Sequence, residues 1–170
     1  MEPDVFVFLD FDGVLNNSLS WDFERDPAKH GSSFLDHRAV KAFSRFMRDT
    51  PNARLVISSV WRLYYSEEEL DKIMESFGYD GPKIWAYTES NNACSSRVEG
   101  RVSEIQSYIK FNGVTEYVVF DDLPLHKGCD DSSFADHFVF VNPESGLTYS
   151  DLREAVSIVP SNHLVPYHNF

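Results

Sequence analysis

The chain has 170 residues, 42% of them hydrophobic and 15% aromatic, a composition that excludes disorder and suits one domain with a sizeable core. Acidic residues outnumber basic ones by 27 to 15 for a net charge of −12, which excludes a broad phosphate-gripping surface of the kind that coats nucleic acid. No apolar stretch reaches the ~20 residues that span a bilayer and the N-terminus lacks the basic start of a secretory signal, so the expected location is cytoplasmic, with Cys94 and Cys129 as reduced thiols.

Val5-Phe6-Val7-Phe8-Leu9 is an unbroken apolar run that ends in Asp10-Phe11-Asp12-Gly13. Such a run, bounded by acids and glycine, reads as an interior strand of a parallel sheet covered on both faces. Sheets of this kind bind ligands beyond the carboxyl ends of their strands. Two carboxylates one residue apart repel each other and are costly to desolvate, so a cation is their natural remedy, and Mg²⁺ with its all-oxygen shell suits them.

Residues 16–34 are polar, contain Pro27 and Gly31, and read as a long loop over this strand end, a partial lid. Val40, Phe43 and Met47 recur at helical spacing behind a capping Asp36, which predicts a helix over 36–48. Leu55-Val56-Ile57 predicts a second strand ending at Ser58-Ser59. A helix then starts at Ser66-Glu67-Glu68-Glu69 and carries Leu70, Ile73, Met74 and Phe77 to a stop near Gly78. A third strand is expected over 84–87 and a polar loop over 89–96. Val98, Val102, Ile105, Tyr108 and Ile109 mark a helix that ends around Gly113. Residues 117–120 predict a fourth strand ending in Asp121-Asp122, residues 137–141 a fifth, and residues 149–157 a last short helix. Strands alternating with helices imply a parallel sheet with right-handed crossovers. The expected organisation is a single catalytic domain over 1–159, with no internal repeat, and a C-terminal tail over 160–170.

This topology gathers Asp10, Asp12, Ser58, Ser59, Asp121 and Asp122 on one edge of the sheet. Taken singly, each is a common strand terminator or helix cap. Their convergence is the functional signal. Asp130 and Asp131 form another acidic pair, for which a solvated loop is the preferred reading, and His126 is expected on the surface. Asn16-Asn17-Ser18 matches a glycosylation acceptor that a cytoplasmic chain would not use.

These residues resemble the motifs of the haloacid dehalogenase (HAD) superfamily of phosphotransferases. Asp10-Phe11-Asp12-Gly13-Val14-Leu15-Asn16 is similar to its first motif, Ser58 to its second and Asp121-Asp122 to its fourth. Ser58-Ser59-Val60-Trp61-Arg62, Arg101-Val102-Ser103-Glu104-Ile105 and Asn142-Pro143-Glu144-Ser145-Gly146-Leu147-Thr148 resemble the small HAD domain of multidomain RNA-repair (Swiss Army Knife) proteins. The resemblance implies an α/β fold, a three-layer Rossmann-like domain with a central, mainly parallel five-stranded sheet. The intervals between motifs leave no room for a separate cap domain, so the site should admit a phosphate carried on something large.

The implied activity is Mg²⁺-dependent hydrolysis of phosphomonoesters through an aspartyl-phosphate on Asp10. Asp12 would protonate the leaving oxygen and later take a proton from water, and Ser58 would hydrogen-bond a phosphoryl oxygen. Arg101, with Arg97 as runner-up, would be the third-motif cation. Asp10, the backbone carbonyl of Asp12, and Asp121 or Asp122 would hold the metal. Ser59, Arg62, Asn16 and Arg97 are the expected substrate contacts. The implied partner is a phosphorylated substrate; the RNA-repair likeness favours a nucleotide or nucleic-acid end, while the charge of −12 pulls the other way. No membrane and no extended nucleic-acid surface are expected, and oligomeric state is open. A HAD-like phosphoprotein phosphatase, or a non-catalytic phosphoacceptor or binding module, stays open as well. Receiver-type modules, however, keep a Lys where this chain reads Val141-Asn142-Pro143.

Overall fold

β1 (Val5–Leu9), apolar at every position, is the spine of the sheet and pairs in parallel on both sides, Val5 with Ala53 and Glu116, Leu9 with Ile57 and Phe120. The computed structural model describes residues 4–18, 35–90, 94 and 96–159. After β1 come α1 (His37–Asp49), β2 (Ala53–Ile57), a 3-10 turn (Val60–Leu63), α2 (Glu67–Ser76), β3 (Ile84–Tyr87) and α3 (Arg97–Asn112). β4 (Glu116–Asp121), a second 3-10 turn (Leu125–Lys127), α4 (Ser132–Ala135), β5 (Phe138–Phe140) and α5 (Tyr149–Ile158) complete it. The strand order is β3-β2-β1-β4-β5, parallel throughout. The chain therefore winds outward on one side of β1 and then returns to wind outward on the other. The point of reversal lies between β1 and β4, and their carboxyl ends form the crevice where such sheets bind ligands.

Two apolar layers sandwich the sheet. On one face Val5, Val7 and Leu9 pack with Val40, Phe43, Phe46 and Met47 of α1, Leu70 and Met74 of α2, and Leu152 and Ala155 of α5. On the other, Phe8, Val56 and Val119 pack with Val102 and Ile105 of α3, Leu125, and Phe134 of α4. Phe43 and Phe46 both meet Phe120 edge-on, with centroids 5.9 and 5.6 Å apart. This is the three-layer α/β architecture that the alternating pattern predicts.

The helix starts obey local chemistry. Asp36 accepts from the Arg38 amide, Ser66 and Glu69 close a capping box, and Ser96 accepts from the Glu99 amide. β2 begins at Ala53, two residues before its apolar run, because Ala53 and Arg54 still pair with Val5 and Phe6. β5 is shorter than its run, since it faces only Val119, Phe120 and Asp121 of β4. The two 3-10 turns and α4 have too few residues to show a period, and Asp131, expected in a plain solvated loop, caps α4 by accepting from the Ser133 amide. The long loop expected over 16–34 is described only through residue 18, and the tail from 160 lies outside the described residues. No helix among the described residues is long and apolar enough to cross a membrane.

Candidate active site

The loop after β1 is built around one carbonyl. The Phe11 carbonyl accepts from the amides of Val14, Leu15 and Asn16 at 3.2, 2.9 and 3.2 Å. This tight turn needs Gly13 at φ +78°, and a Cβ there would stand 2.5 Å from Asp122 Oδ2. Asp10 is buried at the strand end; its amide donates to the Phe120 carbonyl at 3.0 Å and its Oδ1 accepts from the Phe11 amide at 2.9 Å. Asp12 points elsewhere. Its Oδ1 accepts from Asn16 Nδ2 at 2.9 Å and its Oδ2 from Trp61 Nε1 at 3.1 Å, while Asn16 Oδ1 accepts from the Gly13 amide at 2.8 Å.

β2 delivers Ser58, fully buried, whose amide donates to the Leu9 carbonyl and whose hydroxyl has no hydrogen-bond partner among the described residues. Ser59 Oγ accepts from the Trp61 amide and so caps the 3-10 turn. Arg62 folds back underneath. Its Nη1 donates to the carbonyls of Ser58 and Ser59 at 2.8 and 2.5 Å, and its Nη2 to Glu104 Oε2 at 2.7 Å.

α3 lies across the strand ends and presents Arg101, only 5% exposed, whose Nη1 is 2.6 Å from Asp121 Oδ2 and 3.3 Å from Asp10 Oδ2. Arg97, one turn earlier, is exposed. β4 ends in Asp121, whose Oδ1 accepts from the Leu123 amide at 2.9 Å. Carboxylate oxygens of Asp10, Asp121 and Asp122 all lie within 4.8 Å of one another. Ser58, at the end of β2, and Arg101, on α3, thus flank a three-carboxylate cluster.

Residues 6–152 match the model of the HAD domain in Swiss Army Knife RNA repair proteins. The chain belongs to that family. Comparison with curated proteins and with solved structures gives no significant match.

The electrostatics of the HAD domain follow from burial. Burial, with Asp10 and Asp122 nearby and Arg101 only partly opposing them, pushes the Asp121 carboxyl up to about 7. Burial and the Asp10 charge push Asp122 up to about 6. Burial works against the charge of Arg101, yet the carboxylates of Asp10 and Asp121 outweigh it and raise the guanidinium above its ordinary value. Arg62 is lowered by burial against the pull of Glu104. Three crowded carboxylates, oxygen-only donors and two strained acids make a cluster whose chemistry fits a hard divalent cation such as Mg²⁺. Asp12 stands outside this cluster, its two side-chain oxygens accepting from Asn16 and Trp61.

The HAD domain brings Asp10, Ser58, Arg101, Asp121 and Asp122 together at the switch point. Asn16, Ser59 and Arg62, expected at the substrate, are engaged in shaping the two loops beneath it. Arg97 lies farther out, in a cleft of about 410 Å³ that runs from Arg101 past Val60, Leu63, Ser96 and Leu123. Two residues with structural roles here had no such role in the sequence reading. Glu104 joins Arg62 to Arg101, and the only hint was its place three residues after Arg101, on the same helical face. Trp61 bonds Asp12 across 49 positions of sequence, a contact that no local pattern encodes.

Proposed function

We propose that this HAD domain is an Mg²⁺-dependent phosphomonoester hydrolase that works through an aspartyl-phosphate on Asp10, with nucleotide or polynucleotide-end phosphates as substrates. The supporting observation is the placement of the buried Asp10 carboxylate: inside the cluster with Asp121 and Asp122, within 3.3 Å of Arg101 Nη1, and beside the strand end where the Ser58 hydroxyl is buried without a partner among the described residues. A buried hydroxyl without a partner is costly, and a phosphoryl oxygen is an acceptor that would satisfy it.

In the first half-reaction a carboxylate oxygen of Asp10 attacks phosphorus in line, the bond from phosphorus to the ester oxygen breaks, and Asp12 gives that oxygen its proton. In the second, water attacks phosphorus, its proton passes to Asp12, the bond to Asp10 breaks, and inorganic phosphate departs. Asp12 ends protonated, as it began. Arg101 offsets charge on the phosphoryl oxygens and on Asp10, and Ser58 donates to one phosphoryl oxygen. Mg²⁺ held by Asp10, the Asp12 carbonyl and Asp121 or Asp122 would supply the remaining charge neutralisation.

The family's association with RNA repair proteins supports a nucleic-acid end as the phosphate carrier. The net charge of −12 opposes a grip on a length of nucleic-acid backbone, which leaves contact with a single terminal phosphate. The test is hydrolysis of 4-nitrophenyl phosphate and of phosphorylated RNA and DNA ends, nucleotides and phosphopeptides, with Mg²⁺ against EDTA. Metal-dependent release of phosphate that vanishes in Asp10→Asn is the expected result. Activity without metal, or undiminished in Asp10→Asn, overturns the reading; preference for phosphopeptides overturns the substrate class alone.

A further inference from the structure

The proposed acid–base carboxylate of Asp12 has a second support that comes from the 3-10 turn after β2. Asn16, four residues on in the same loop, holds Asp12 Oδ1 at 2.9 Å, and Trp61, on the 3-10 turn after β2, holds Oδ2 at 3.1 Å. The indole is 3% exposed and stacks on Phe11, the residue between the two aspartates, with centroids 4.9 Å apart and planes 26° from parallel. Its own backbone amide is tied to Ser59 Oγ. One side chain therefore packs against the nucleophile loop, bonds the proposed acid in it, and is anchored beside Ser58.

A buried indole N–H needs an acceptor, and any flat aromatic ring could fill the stack on Phe11; the hydrogen bond is what distinguishes tryptophan from phenylalanine here. A carboxyl that must deliver a proton to one oxygen and recover it from a water at nearly the same place works only if its plane is held, because small misplacements of a reacting group cost large factors in rate. We infer that Trp61 is a positioning residue for Asp12: its Nε1–H, together with Asn16, fixes the carboxyl plane so that the position carrying the transferable proton faces the ester oxygen. This rests on the proposed role of Asp12 in phosphoryl transfer.

The role makes a selective demand. An alkyl phosphate expels an alkoxide that must be protonated as it leaves, whereas 4-nitrophenyl phosphate expels a stable phenolate that needs little help. Trp61→Phe keeps the stack and removes only the donor. In the full chain with Mg²⁺, kcat/KM for a nucleoside monophosphate should fall about 10-fold or more in this variant, while kcat/KM for 4-nitrophenyl phosphate changes less than about 3-fold. An equal loss on both substrates, or no loss on either, overturns the inference.

A second measurement does not need the Trp61 variant to fold. The chain has three tryptophans, so in a Trp21→Phe/Trp85→Phe background the single indole ¹H–¹⁵N resonance belongs to Trp61. It should move upfield when Asp12→Asn weakens the acceptor, and an unmoved resonance overturns the contact. If the wild-type protein hydrolyses neither ester, the phosphatase reading fails and the positioning role falls with it. If the wild-type protein is active and Trp61→Phe loses both activities equally, only the positioning role fails.

Discussion

Arg101 Nη1 bonds Asp121 Oδ2 at 2.6 Å, with both side chains almost wholly removed from solvent. The same nitrogen is 3.3 Å from Asp10, so one guanidinium balances two buried carboxylates from adjacent strands. Removing one partner of a buried pair leaves charge without compensation, at a cost of about 3–5 kcal/mol. Because Asp121 and Asp122 can take up protons instead, Arg101→Ala should lower the unfolding free energy more at pH 8 than at pH 5, read by urea titration, and Mg²⁺ should restore part of the loss at pH 8. Equal stability of the variant and the wild type would show that the cluster is not strained.

Burial, with the neighbouring carboxylates, pushes Asp121 up to about 7 and Asp122 up to about 6, both above the ordinary carboxylate value of 3.8. Between pH 4 and 7 the folded state therefore binds more protons at these groups than the unfolded state does, and stability falls as pH rises. Their contribution is fully present below pH 4 and lost as pH passes through 6 to 7. A bound cation removes the cause of the strain, so the Mg²⁺-induced rise in Tm should be larger at pH 8 than at pH 5. Differential scanning fluorimetry with and without Mg²⁺ across that range checks the sign; a shift independent of pH would contradict it.

The Ser58 hydroxyl is buried with no hydrogen-bond partner among the described residues, which separates its two possible roles. Removal of an unsatisfied buried hydroxyl should leave stability unchanged or slightly higher. Loss of a donor aimed at a phosphoryl oxygen should lower kcat by about 10²-fold. Ser58→Ala is expected to show both effects together, by thermal unfolding and by steady-state kinetics. A variant that unfolds early would assign the residue to structure.

Gly13 combines φ +78° with a Cβ position 2.5 Å from Asp122 Oδ2 and 2.8 Å from its Cβ. Because the base of the Asp122 side chain is also in the way, rotation of the carboxylate cannot relieve the clash. Gly13→Ala should cost roughly 1–3 kcal/mol from left-handed strain and crowding. It should also weaken Mg²⁺ binding by displacing Asp122, a loss that isothermal titration calorimetry reads directly. Unaltered affinity would remove Asp122 from the metal site.

Much of this molecule is written locally. The apolar run of β1 says that it lies inside a parallel sheet, Asp36, Ser66 and Ser96 cap the helices that follow them, and Asp10, Ser58 and Asp121 stand where strands end. Periodicity, capping and strand length depend on neighbours in sequence, so sequence alone determined the five strands, their alternation with helices, and which edge of the sheet carries the acids. Which side chains touch depended on long-range packing. Arg62 reads as a substrate contact until α3 brings Glu104 against it; a buried guanidinium needs a counter-charge and acceptors, and Glu104 with two backbone carbonyls supplies them. The tertiary structure likewise decided that Asp12 answers to Trp61 rather than to the metal cluster, because only folding sets the end of β2 beside the end of β1. The aspartate pair that begins the site is thus legible as a pair in sequence, and its division into a carboxylate inside the cluster and one held outside it belongs to the fold.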